Sequence, residues 1–184
     1  MNNFENHNKE NYLIVGLGKS GFWVSKFLHN RGKQVIVIDE NNNKKLSESK
    51  EILEKDGIQV ILNKPFLYDE ISSYLSKLTY VILSPTIRLD NDTVLRLIKN
   101  KIIILGEIDI GWQYLKTQNW VGITGTNGKT TVTDLLSHIL SKNNMVAPSA
   151  GNIGIPLSKY AYHYYKYKEN IDWLITELSS YQIE

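Results

Sequence analysis

Short apolar runs alternate along the chain with longer stretches in which apolar residues recur every three or four positions. The first pattern predicts buried strands and the second amphipathic helices. Strands are expected at 12–15, 34–38, 58–62, 80–83 and 102–105. Helices are expected after Gly21, with Phe22, Val24, Phe27 and Leu28 on the apolar face, and at 44–55, 68–78, 93–99 and 107–115. The helix at 44–55 is polar and charged, so it reads as an exposed surface helix, and Asp90-Asn91 offers an N-cap to the one at 93–99. A second series follows: a strand at 120–123, a helix at 130–140, a Tyr-rich helix at 157–167 and a strand at 172–176 ending in Glu177. Those tyrosines read as helix-surface packing, since no basic groove accompanies them. Strand–helix alternation at this rhythm predicts an α/β fold with a parallel, doubly wound sheet. The polar connector at 116–119 separates a first domain at 12–116 from a second at 117–184, after a disordered tail at 1–11.

The strand at 120–123 runs into Thr124-Gly125-Thr126-Asn127-Gly128-Lys129-Thr130-Thr131 and then into a helix. Strand, glycine loop, lysine, hydroxyl and helix is the order of a phosphate-binding loop, in which backbone N–H groups and the positive helix end face the anion. Gly125 and Gly128 permit the tight turn, Lys129 is placed to reach the β/γ oxygens, and the Thr130 hydroxyl to touch Mg²⁺. Gly125, Thr126, Asn127, Gly128, Lys129, Thr130 and Thr131 are therefore the ATP-binding candidates, with Lys129 the catalytic candidate. The usual pattern would put its first glycine at Ile123, so this is a variant loop and not that of an ordinary kinase or GTPase. The plainer alternative is a Gly/Asn turn that caps a helix, with Lys129 merely solvated. Glu177, an acid closing a buried strand downstream, stands where such a fold holds its Mg²⁺-orienting carboxylate. A helix-capping or exposed carboxylate is the alternative there.

Near the start, Gly16-Leu17-Gly18-Lys19-Ser20-Gly21 follows a strand and precedes a helix, and Asp39-Glu40 closes the next strand. In that context G-x-G-x-x-G signals a Rossmann-like βαβ unit that holds a nucleotide or a diphosphate. A turn needed only for close helix–strand packing is the alternative. Asp39 could accept from a ribose hydroxyl or a base, or be a solvated turn carboxylate. Ser84-Pro85-Thr86-Ile87 forms a turn at the carboxyl end of the fourth strand, where open α/β sheets bind ligands.

Composition adds mainly exclusions. A chain of 184 residues with 42% hydrophobic and 22% charged residues has the make-up of a globular protein with a core of its own. A net charge of +2 is too small to argue for nucleic acid or an anionic membrane. No cysteine is present, which excludes disulfides and thiolate metal sites. No apolar run approaches the roughly 18 residues of a spanning helix, and the polar, Asn-rich start is no signal peptide. A cytoplasmic location is expected. Residues 117–184 are few for a phosphate-loop domain that must cover both faces of its sheet, so a fragment of a longer protein is expected.

These residues resemble the Mur ligase family of peptidoglycan synthesis. The phosphate loop Thr124–Thr131 is common to that superfamily, including folylpolyglutamate synthetases. Gly16–Gly21, Gly151-Asn152-Ile153-Gly154 and Glu177-Leu178-Ser179-Ser180-Tyr181-Gln182 are more specific, and the last is similar to the E-L-S-S-[FY]-Q signature of the D-glutamate-adding branch. Ser84–Ile87 resembles that family's S-P-G-I turn, with Thr86 in place of glycine, a departure that bears on how closely the backbone and a diphosphate approach.

The resemblance implies a Rossmann-like parallel-sheet N-terminal domain that takes the UDP end of the substrate, followed by an incomplete P-loop-type α/β ATPase domain binding ATP and Mg²⁺. It implies substrate contacts at Leu17, Gly18, Lys19, Ser20, Asp39, Glu40, Ser84, Pro85, Thr86, Ile87, Asn152, Ser180 and Gln182, and Mg²⁺ held by Thr130 and Glu177. The substrates would be UDP-N-acetylmuramoyl-L-alanine and D-glutamate, joined through an acyl phosphate by a monomer that engages neither nucleic acid nor membrane. The family's carbamylated lysine, metal-ligating histidine and third domain lie downstream of its E-L-S-S motif, so the 184 residues are expected to bind without completing the ligation. An NAD(P)-dependent oxidoreductase, suggested by Gly16–Gly21 and Asp39, and a non-catalytic nucleotide-binding module are the competing expectations.

Overall fold

The computed structural model describes residues 10–151 and 154–179, and the chain forms two compact units, Met1–Gly106 and Glu107–Glu184. The first unit contains β1 (Asn11–Val15), α1 (Lys19–Asn30), β2 (Gln34–Ile38), α2 (Lys44–Lys55), β3 (Gln59–Ile61), α3 (Tyr68–Leu75), β4 (Tyr80–Leu83), α4 (Asp92–Lys99) and β5 (Ile103–Leu105). Its sheet runs β3-β2-β1-β4-β5 with every pair parallel. Strand order reverses between β1 and β4, so a crevice opens at their carboxyl ends. β1 and β4 are apolar because both sheet faces are covered: Leu13, Ile14, Val81 and Ile82 are all buried. On one face Leu13, Val15, Val81 and Leu83 pack with Ile71 of α3 and with Val94 and Leu97 of α4.

Local chemistry sets the helix ends, at α4 as expected. Asn91 caps α4 by accepting from Thr93 N–H at 2.9 Å, and Asn43 caps α2 by accepting from Leu46 N–H at 3.1 Å. Only Leu53 of α2 is buried, which is what a polar surface helix requires. Residues 1–9, most of the expected tail, lie outside the described residues. Glu10 and Asn11 do not belong to a tail: Glu10 is buried, pairs with Lys33 at 2.6 Å and accepts from Tyr12 Oη, while Asn11 opens β1.

The second unit contains α5 (Glu107–Leu115), β6 (Asn119–Ile123), α6 (Lys129–Lys142), β7 (Ser149–Gly151), α7 (Leu157–Tyr167) and β8 (Trp173–Glu177). Among the described residues its three strands run β6-β8-β7, again all parallel, with β8 central. α5 packs on α7, so the division falls after Gly106, ahead of the 116–119 connector. β7 has no counterpart among the expected strands. Ser-Ala-Gly carries no β propensity, and only its pairing with β8 makes it a strand. The tyrosines of α7 are tied into the unit: Tyr160 Oη donates to Ser149 O at 3.1 Å and Tyr165 Oη to Tyr114 O at 2.9 Å. Among the described residues no helix is long and apolar enough to cross a membrane.

Candidate functional site

In the first unit the Gly16–Gly21 loop sits over the carboxyl end of β1. A Cβ on Gly21 would lie 1.9 Å from the Gly16 carbonyl oxygen, so only glycine lets α1 approach the loop this closely. Gly18 caps α1 without any side-chain hydrogen bond, and the first turn of α1 carries no acid. No side chain therefore caps the N–H groups at its amino end, which lie beside exposed Lys19 and half-buried Ser20. Leu17 is 2% exposed, so its side chain belongs to the core and only its backbone borders the crevice.

Asp39, at the end of β2, is half-buried and has a task within the protein. Its Oδ2 accepts from Leu17 N–H at 2.7 Å and its Oδ1 from Asn41 N–H at 2.9 Å. The carboxylate therefore clamps the glycine loop to β2, a contact that spacing alone does not reveal. Glu40 beside it is exposed. Across the crevice, Ser84 N–H donates to Val15 O at 3.0 Å, and Ile87 N–H to Ser84 O at 3.0 Å closes the turn. Pro85 and Thr86 are exposed, and the Ser84 and Thr86 hydroxyls lie 3.1 Å apart. Thr86 does not take a positive φ, so its backbone has no need of the glycine expected there.

In the second unit β6 ends at Ile123 and α6 begins at Lys129, with the loop between them exposed. Gly128 occupies the N-cap of α6 at φ 76°, a left-handed conformation that favours glycine, and it makes no side-chain cap. No acid lies in the first turn, so the amino end of α6 offers free N–H groups and positive potential. Lys129 Nζ donates to the Gly125 carbonyl at 2.7 Å, folding over the loop. Thr126, Asn127 and Thr131 are exposed around it.

Thr130 and Glu177 meet here. The Thr130 hydroxyl donates to Glu177 Oε2 at 2.9 Å, and Glu177 is only 2% exposed. Burying a carboxylate against a neutral hydroxyl costs free energy that a nearby cation would offset. An oxygen-only pair suits a hard ion such as Mg²⁺, and no group of three or more His, Cys, Asp or Glu gathers among the described residues. The rest of a cation's shell would therefore fall to phosphate and water oxygens. Asn152, Ser180 and Gln182 lie outside the described residues.

One part-buried contact was not legible beforehand. Glu107, opening α5, accepts from Ser158 N–H in the first turn of α7 at 2.5 Å, 51 positions away. Burial pushes the Glu107 carboxyl up from its ordinary value, and the bonds from Ser158 oppose that shift. An acid in the first turn of a helix is too ordinary to have signalled it.

Both units resemble known proteins. Residues 10–106 match the model of the Mur ligase MurD-like N-terminal domain, and residues 123–184 that of the Mur ligase middle domain. A UDP-N-acetylmuramoylalanine–D-glutamate ligase from Prochlorococcus marinus (strain MIT 9515) is 56% identical over 183 residues, covering 100% of this chain and 38% of the relative. Its namesake from strain MIT 9312 is 50% identical over 183 residues, covering 100% of this chain and 39% of the relative. The chain thus spans well under half the length of these relatives. The crystal structure of a murein peptide ligase from Psychrobacter arcticus 273-4 superposes with a TM-score of 0.55 at 16% identity, over 95% of this chain and 40% of that one, a likeness of fold.

Proposed function

The chain belongs to the Mur ligase family, and from that premise we propose that it is the substrate-gripping and nucleotide-binding portion of a D-glutamate-adding ligase. The reaction would join UDP-N-acetylmuramoyl-L-alanine to D-glutamate at the expense of ATP, in the cytoplasm and as a monomer. The names of the two Prochlorococcus relatives and the stretch from Glu177 to Gln182 support the choice of amino acid. The observation that carries the reading is the Thr130–Glu177 contact at the mouth of the glycine loop.

The substrate's terminal carboxylate and the γ-phosphate of ATP are both anions, so positive charge must bring them together. The amino end of α6 supplies part of it through N–H groups that no side chain caps. Lys129, resting on the neutral Gly125 carbonyl, exchanges that acceptor for phosphate oxygens. Thr130 and Glu177 would hold Mg²⁺, which when bound neutralises charge on the migrating phosphoryl group. Phosphoryl transfer to the carboxylate gives an acyl phosphate; the D-glutamate amine attacks its carbonyl carbon, and inorganic phosphate leaves. In the first unit, the open end of α1 with Gly18, Lys19 and Ser20, and the turn Ser84–Ile87, border the diphosphate, with Leu17 contributing backbone only. Asp39 and Glu40 stand at the uridine end. Asn152 and Gln182 would orient the substrate by neutral hydrogen bonds, adding no charge, with Ser180 a further substrate-binding residue.

Isothermal titration tests this. Saturable binding of UDP-N-acetylmuramoyl-L-alanine, and of Mg-ATP in a manner weakened by Lys129→Ala, is expected, with NADH inert. Tight NADH binding with no response to the UDP-sugar would overturn the ligase reading in favour of an oxidoreductase. D-glutamate-dependent phosphate release by the chain alone would overturn its division of labour.

A further inference from the structure

Three carboxamides stand at the amino edge of the first unit's sheet, the edge opposite the Gly16–Gly21 loop. Asn11 is level with Gln34 in the β1–β2 register, and Gln59 is level with Ile36 between β2 and β3. Paired positions of a parallel sheet share a face, as do positions two apart in one strand. Asn11, Gln34 and Gln59 therefore lie on one face, the one where Leu13 packs against Ile71 of α3. Strands covered on both faces ordinarily carry apolar residues at such positions. Here α3 stops at Leu75, and a cavity of about 310 Å³ lies between the strand starts and Tyr74, Lys77 and Leu78. That is the lower end of the range for ligand pockets, about 300–1,000 Å³. Asn11 Nδ2 donates to Lys77 O at 2.5 Å, which ties the end of α3 to β1 and leaves Asn11 Oδ1 to accept. The side chains of Gln34, Gln59, Tyr74 and Lys77 have no hydrogen-bond or ion-pair partner among the described residues. No acid is among the residues that line the cavity.

We propose that this cavity is an accessory binding site for an adenine-type base, separate from the crevice at the carboxyl ends of the strands. A carboxamide holds a donor and an acceptor side by side, the arrangement that pairs bidentately with the N6 and N7 edge of adenine. Gln34 and Gln59 bring two such groups to one rim from neighbouring strands, and Tyr74 supplies an aromatic ring for stacking. Ile36 and Leu78 add apolar contact. The carboxyl end of α3 places negative potential at the same rim, which suits an exocyclic amino group. Lys77, the one charged residue in the described lining, decides between a free nucleoside and its monophosphate.

The chain contains five glutamines, so its glutamine side-chain amide signals are few, and those of Gln34 and Gln59 are assigned by Gln34→Leu and Gln59→Leu. Chain carrying isotope-labelled glutamine is titrated with adenosine and, separately, with AMP, up to millimolar concentration. Saturable shifts of the Gln34 and Gln59 side-chain amides are expected. No glutamine lies in the phosphate loop, so nucleoside held there does not mimic the signal. Gln34→Leu is expected to weaken adenosine binding, read at Gln59, by about tenfold, the scale of one bidentate pair. Purine riboside, which lacks the exocyclic amino group, is expected to bind more weakly than adenosine. Both Leu variants sit at exposed strand positions, and their amide spectra report directly that the fold is kept. A tighter response to AMP that Lys77→Ala removes assigns the nucleotide, and an equal response to AMP and adenosine assigns the free nucleoside; either supports the site. Gln34 and Gln59 amides that stay unmoved overturn the proposal, and so do shifts that purine riboside reproduces at the same concentrations.

Discussion

The Thr130 hydroxyl and the Glu177 carboxylate lie 2.9 Å apart although 47 positions separate them in sequence. Strand register brings them together. β6 and β8 are parallel with Ile123 opposite Glu177, so their carboxyl ends are level, and the glycine loop leaving Ile123 starts α6 above that edge. A slip of one residue would send the Glu177 side chain to the other face of the sheet. Leu178 N–H, donating to Ile123 O at 2.9 Å, fixes the pairing one step beyond the strand.

If Glu177 and Thr130 hold Mg²⁺, charge and not shape is what Glu177 contributes. Glu177→Gln keeps the size and an acceptor for Thr130. Mg-ATP affinity is expected to fall by about ten- to a hundredfold, the scale of disturbing a metal site's supporting groups. Binding of ATP in EDTA is expected to change less than twofold. Titration with and without Mg²⁺ reads both, and an equal loss in the two conditions would show that Glu177 serves the loop's shape instead.

The candidate site was legible to different depths. The strand–loop–helix placement of Gly125–Thr131 and of Gly16–Gly21, and the position of Glu177 at a strand end, were readable because each shows particular residue types at fixed spacing beside an apolar run. β2, β4, α2, α5 and α7 fall where periodicity put them, since apolar runs and caps are local signals. β7 was not readable, because Ser149–Gly151 is a strand only through its neighbour β8. Nor was the clamp between Asp39 and Leu17, or that between Glu107 and Ser158. These depend on which strand lies beside which, and on where two helices cross, and no local pattern carries that information.

The Asp39 clamp separates two roles that the sequence leaves tangled. Asp39→Ala removes an acceptor from both Leu17 and Asn41, and a loss of about 1–3 kcal/mol in unfolding free energy is expected. Asp39→Asn keeps one carbonyl oxygen for Leu17 and should recover a good part of that. Should Asp39 act on a ligand only by seating the loop, Asn recovers UDP-sugar affinity alongside stability. Recovery of stability without affinity would make the carboxylate a direct ligand. Urea denaturation and calorimetric titration of the two variants distinguish these outcomes.

Thr86 offers a test of why a turn can forgo its glycine. Its φ is not positive, so glycine has no conformational advantage there and mainly loosens the unfolded chain. Thr86→Gly is therefore expected to destabilise the protein by about 0.4–1 kcal/mol. It also removes the hydroxyl that lies 3.1 Å from Ser84 Oγ. A stabilised variant, measured by the denaturation midpoint at constant slope, would mean that the threonine side chain strains the turn.

Two carboxylates of the second unit should tilt stability in opposite directions with pH. Asp172 accepts from Val146 N–H at 2.7 Å and from Asn170 Nδ2 at 2.9 Å, and these bonds, the backbone one foremost, hold its carboxyl below the ordinary value of 3.8. Its folded value lies below its unfolded one. Its stabilisation is therefore present above 3.8 and disappears as pH falls through the folded value. Glu107 is the reverse case. Burial disfavours its charged form and raises the carboxyl above 4.5, with the Ser158 bonds only partly opposing. Its contribution is full below 4.5 and declines as pH rises through the folded value, because the unfolded chain gives up that proton more readily. Glu107→Gln keeps an oxygen for Ser158 N–H and has no proton to lose. Relative to wild type it should gain stability as pH is raised from about 4 to about 7, whereas Asp172→Asn should lose stability over the rise from about 3 to about 5. Denaturation midpoints across that range read both. A Glu107→Gln variant that weakens steadily toward neutral pH would show that the ionised carboxylate is favoured at the α7 amino end, the helix dipole outweighing burial.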